Sequence, residues 1–108
     1  MKALSIKEPW ATLILEGKKT IETRTWKTNY RGEILLCASK NPKSNISGKA
    51  FATAKITACI PMTKEHERNA LCEIYPKANS WFLTEVKKIE PFEVKGQLGI
   101  FEVEFENG

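Results

Sequence analysis

The run Phe-Ala-Thr-Ala-Lys-Ile-Thr-Ala-Cys-Ile at residues 51–60 constrains the fold more than any other stretch of this chain. Its alternation places Ala52, Ala54, Ile56, Ala58 and Ile60 on one face of a long strand. Alanine dominates that face, and small inward residues let a sheet curl tightly enough to form the wall of a small barrel. Residues 33–38 read as a continuous apolar run, the mark of a central strand covered on both faces. Residues 2–6 and 81–86 add two further strands. Residues 99–106 add a last one, with Phe101, Val103 and Phe105 inward and Glu102, Glu104 and Glu106 toward water.

Two short helices complete the pattern. Pro9 suits a first helical turn, Trp10, Leu13 and Ile14 follow at helical spacing, and Gly17 supplies a left-handed stop. A helix over residues 9–16 is too short to be held by propensity, so it must pack onto the sheet and cover one opening. Residues 62–71 are polar enough for a short surface helix. About six strands and two short helices in 108 residues predict one α+β domain over residues 1–108, a small mixed β-barrel.

Composition removes several functional classes. Cys37, Cys59 and Cys72 show no metal-knuckle or dithiol spacing, so no metal and no cofactor is expected. An odd number of thiols with no leader sequence suggests a reducing compartment, the cytoplasm. No apolar run approaches the roughly eighteen residues that a membrane span needs, so no membrane partner is expected, and we expect a monomer. The formal net charge is +4, unevenly spread: residues 1–45 carry nine Lys or Arg against four Glu, and residues 91–108 carry one against four. A basic first half suits attraction of a polyanion.

Charge is densest in Gly17-Lys18-Lys19-Thr20-Ile21-Glu22-Thr23-Arg24, flanked by Trp10 and Trp26. On a strand over residues 20–26, Glu22, Arg24 and Trp26 share a face, near enough to pair or to grip one ligand. The basic loop 39–48, with Lys40 and Lys43, and the Asn29-Tyr30-Arg31-Gly32 turn supply further candidate phosphate contacts. The plainer readings are an ion pair of Glu22 with Arg24, a core position for Trp10, and solvated charges at Arg31, Lys40 and Lys43. His66, in a very polar run, is read as solvated.

Pro9-Trp10-Ala11, Gly17-x-Lys19-x-x-Glu22-x-Arg24, Trp26 and Arg31-Gly32 together resemble the ASCH domain family. Residues 48–60 and Phe92-Glu93-Val94-Lys95-Gly96 are similar to later segments of the ASCH domain that ends activating signal cointegrator proteins. The resemblance implies a PUA-like β-barrel with a cleft between the first helix and the barrel mouth, in a superfamily that mostly binds RNA. Lys19, Glu22 and Arg24 would then line the cleft, with Trp10 and Trp26 near its edges; Lys18 does not carry over. A nucleic-acid binder, with RNA the expected partner, would set Lys19 and Arg24 on phosphate, Glu22 on a base amino group and an aromatic ring on the base. The alternative is a small hydrolase acting on RNA or on a modified nucleoside such as acetylated cytidine, with Lys19, Glu22 and Arg24 as its catalytic set. Amidohydrolases of this kind use threonine where this chain has Glu22, while Thr23 and Thr25 have the opposite strand parity.

Overall fold

A computed structural model describes residues 1–105. The strands β1 (Lys2–Ile6), β2 (Ile21–Arg24), β3 (Gly32–Ala38), β4 (Lys49–Pro61), β5 (Asn79–Glu93) and β6 (Ile100–Glu102) join in one six-stranded sheet of order β2-β5-β4-β3-β1-β6. β1 runs parallel to β3, and every other neighbouring pair is antiparallel. The sheet curls into a half-barrel rather than closing, because β2 and β6 remain as edges among the described residues. The α+β fold expected from sequence is therefore present in open form. Part of the last predicted strand, at Glu106, lies outside the described residues.

Curvature comes from irregularities in β4 and β5. Between Ile56 and Ala58 the ladder gains a residue on β4, and between Lys55 and Thr53 it gains one on β5. On β5 the extra residue falls at Glu85, whose φ is 51°, the left-handed geometry of a bulge. The β4 bulge also breaks the expected alternation. Ala52, Ala54 and Ile56 face the main core as predicted, but beyond Thr57 the phase shifts, so Cys59 packs inward and Ile60 is exposed.

β3 is covered on both sides. Ile34, Leu36 and Ala38 enter a core with Leu4, Ile6, Phe51 and Trp81, whereas Leu35 and Cys37 enter a second cluster with Ala3, Ala50 and Phe101. Burial pushes the Cys37 thiol up to about 12, because a thiolate there would lose its water.

The helix α1 (Trp10–Leu15) drops Ala11 and Ile14 into the main core. Glu8 serves its start, accepting bonds from the Thr12 N–H at 2.8 Å and the Thr12 hydroxyl at 2.6 Å. At its end Gly17 adopts φ 79°. The Gly17 N–H donates to Ile14 O at 3.0 Å and the Lys18 N–H to Leu13 O at 2.9 Å, which is a Schellman stop. The expected helix at residues 62–71 is a 3-10 turn (Lys64–His66) followed by the one-turn helix α2 (Glu67–Ala70). His66 is not merely solvated, since its Nδ1 accepts the Thr63 N–H at 3.2 Å and lies 2.9 Å from Ser80 Oγ.

Candidate nucleic-acid interface

The Schellman turn at Gly17 reverses the chain so that Lys19 enters the protein beside α2. Its side chain is 1% exposed. The ammonium donates to the carbonyl of Ala70 and lies 3.6 Å from Glu22 Oε1. Burial pushes the Lys19 ammonium below its ordinary value, with Glu22 and the Cys72 thiol acting in the other direction. Lys18, by contrast, stays outside and pairs with Glu16 at 3.3 Å.

Glu22 and Arg24 share a face of β2, as alternation requires. Glu22 Oε2 accepts Arg24 Nε at 3.3 Å and Nη2 at 3.0 Å, and Oε1 accepts the Thr23 N–H at 3.0 Å. Arg24 Nη2 also donates to Ser5 O on β1 at 2.7 Å. The carboxylate is thus occupied on both oxygens. It holds two cations in place, and the acceptor capacity left on Oε1 lies beside the buried Lys19 ammonium at 3.6 Å. Lys19 is likewise engaged and buried where it lines the cleft.

These groups form one end of a cleft of about 940 Å³. Trp10 and Lys40 line it with Lys19, Glu22 and Arg24. Trp10 is 37% exposed rather than packed in the core, because α1 turns Ala11 and Ile14 inward instead. Lys40 leans on the wall at Gly48, where an added Cβ would stand 3.4 Å from Lys40 Cγ.

Trp26 and Arg31 do not reach the cleft. β2 ends at Arg24, so strand parity no longer governs residue 26, and the Trp26 ring packs edge-on against Trp81 at 4.7 Å between centroids. Arg31 folds back on its own turn, donating to Thr28 O and Tyr30 O at 2.9 Å each. Lys43 lies outside the cleft lining too.

Other cleft residues were not anticipated. Lys7 precedes α1, and Lys95 and Leu98 belong to the segment 95–99 between β5 and β6. Thr23, Cys72 and Tyr75 form one side wall; Tyr75 Oη donates to Thr23 Oγ1 at 2.9 Å, and Cys72 Sγ lies 3.8 Å from the same oxygen. Thr23 reaches this wall despite its parity because β2 is an edge strand that the chain after α2 wraps. The resemblance of residues 92–96 to ASCH segments was the one sequence signal pointing at the far wall. Among the described residues, no group of His, Cys, Asp or Glu could hold a metal ion, and no helix is long and apolar enough to cross a membrane.

Comparison with known proteins places the family and the fold. A family model described as the ASCH domain matches residues 4–93. Activating signal cointegrator 1 from Homo sapiens is 35% identical over 54 residues, which is 49% of this chain but 9% of that protein; the Mus musculus protein matches equally. The chain therefore spans about a tenth or less of those relatives. Among solved structures, the S128A mutant of ZmASCH from Zymomonas mobilis superposes with a TM-score of 0.74 at 15% identity, covering 94% of this chain and 87% of that one. The Zymomonas mobilis ASCH protein itself gives 0.68 at 17% identity over 86% of this chain and 73% of its own. At such identities the likeness concerns the fold, and it bears out the half-barrel with two short helices.

Proposed function

The chain belongs to the ASCH domain family, generally proposed to bind RNA, and on that premise we propose that its cleft takes up single-stranded RNA. One observation carries this reading. Among the described residues, the cleft is lined by Lys7, Lys19, Arg24, Lys40 and Lys95 against the single carboxylate of Glu22, an excess of four positive charges that equals the formal net charge of the whole chain, +4. Elsewhere the charges cancel. A positive potential confined to one concave surface draws a polyanion to that surface.

The parts divide by depth. Lys7, Lys40 and Lys95 are exposed at the rim, where a flexible ammonium can follow a phosphate without losing its water. Trp10 offers a half-open ring on which a base can stack, a contribution of about 1–3 kcal/mol. Deeper in, Glu22 fixes Arg24 and Lys19. No comparable arrangement favours hydrolysis: the Thr23 hydroxyl faces Tyr75 and Cys72, while Lys19 is engaged by Ala70 and Glu22. The test is fluorescence-anisotropy titration of short single-stranded RNA with the Lys40→Ala and Lys95→Ala variants. Weaker binding and a shallower salt dependence are expected; affinity unchanged in both variants refutes the reading.

A further inference from the structure

We propose that the cleft discriminates among bases, preferring those that present a carbonyl oxygen, uracil and hypoxanthine or guanine, over those that present an amino group at the same position. The proposal rests on the RNA-binding reading above and assigns Arg24 as the residue that sets specificity.

At the deep end, some polar groups are filled and others are not. Glu22, the only carboxylate among the described residues that line the cleft, has both oxygens engaged by Arg24, by the Thr23 N–H and by the nearby Lys19 ammonium. Its side chain is 8% exposed and its remaining acceptor capacity faces the Lys19 ammonium, so it is poorly placed to take an incoming amino group. Arg24 spends Nε on Glu22, and Nη2 on Glu22 and Ser5 O. Its Nη1 makes no hydrogen bond to any described residue, yet Arg24 lines the cleft with a side chain 21% exposed. Two N–H donors on a rigid plane are thus left open beside a carboxylate whose two oxygens are already engaged.

Orientation makes those donors selective. A guanidinium held on one edge by a carboxylate and a backbone carbonyl cannot swing away to suit another ligand. A carbonyl oxygen set against Nη1 is paired, whereas an amino group there meets donor with donor and leaves both unsatisfied. The pyrimidines give the cleanest contrast, since uracil O4 and the cytosine amino group occupy one ring position. Adenine and hypoxanthine differ in the same way at position 6. Phosphates remain with the rim lysines, which need no deep groove to reach them. Trp10, which lines the same cleft, stacks on either ring and so adds affinity without choosing.

The experiment compares hepta-uridylate with hepta-cytidylate, and hepta-adenylate with the same heptamer carrying one central inosine, in anisotropy titrations at constant salt. Tighter binding of the carbonyl partner in each pair is expected, by about tenfold, the equivalent of one charge-assisted hydrogen bond. Arg24→Lys keeps the charge and loses the oriented plane, so the ratio should collapse toward one while binding stays salt-dependent; a melting curve shows that the variant is folded. Equal affinities in the wild-type protein, with binding still weakened by Lys40→Ala, overturn this inference and leave the RNA-binding reading standing. Failure of all four heptamers to bind overturns both. The wild-type comparison needs no variant, so an unfolded Arg24→Lys protein does not remove the test.

Discussion

Replacing Glu22 by glutamine keeps the shape of the side chain and removes the charge that holds the deep end of the cleft together. Lys19 suffers most, because its side chain is 1% exposed and its ammonium is held by Ala70 O and Glu22. Removing one member of a buried pair costs about 3–5 kcal/mol, since the remaining ion keeps its desolvation and loses its partner. A glutamine oxygen can still accept the Thr23 N–H, so the lower figure, about 3 kcal/mol, applies. For 108 residues at about 2.1 cal/mol/K each, that loss lowers Tm by about 13 °C. Urea unfolding followed by the fluorescence of Trp81 and Trp26 measures it. Adding Lys19→Met should recover most of the loss, because the uncompensated ion is then gone and Arg24 can rehydrate. A cost below about 1 kcal/mol for Glu22→Gln, or additive costs in the double variant, refutes the view of Glu22 as the clamp of the cleft.

Three further outcomes follow from particular contacts. Burial pushes the Glu8 carboxyl up, but hydrogen bonding to Ser44 and Thr12 outweighs it and holds the group below its ordinary 4.5. Its stabilising effect is therefore present above that value and lost as pH falls through the lower folded one; Glu8→Gln should lose about 1 kcal/mol at neutral pH and nothing in acid, measured by melting across pH. Iodoacetamide should modify Cys59 and Cys72 in the native protein and leave Cys37 intact, since its thiol is pushed up to about 12. Bound RNA should protect Cys72 but not Cys59, and mass spectrometry of the peptides reads both effects. A Cβ at residue 96 would stand 2.8 Å from Ser5 Oγ, a hydroxyl with no partner; Gly96→Ala should destabilise by about 1–3 kcal/mol and Ser5→Ala should relieve it, seen in a double-mutant cycle by urea unfolding.

The parts of the fold that were legible in the sequence are those set by local pattern. β1, α1 and β3 fall where periodicity and Gly17 place them, because each is short, regular and bounded by a residue that cannot continue it. Periodicity marks only residues 81–86 of β5, which runs from Asn79 to Glu93. Its second half, with Lys87, Lys88, Glu90 and Pro91, carries no strand signal of its own and is held by pairing with β4, with an irregularity that accommodates Pro91. The same non-local cause shifted the phase of β4 after Thr57. Of the site, Lys19, Glu22 and Arg24 were legible because the motif is contiguous, and Trp26 was misplaced because parity was carried past the end of β2. Lys7 and Lys95 could not be read from spacing, since the curl of the sheet is what brings the start of α1 and the segment after β5 to one rim.

The salt dependence of RNA binding tests the central claim most directly. Three rim lysines, Lys7, Lys40 and Lys95, each releasing about 0.7 of a counterion from a single strand, give a slope of log K against log salt near about −2, and about an 18-fold loss between roughly 50 and 200 mM. Each lysine replaced by alanine should make the slope shallower by about 0.7. A slope near zero, or one unchanged when all three lysines are removed, would contradict the assignment of this cleft.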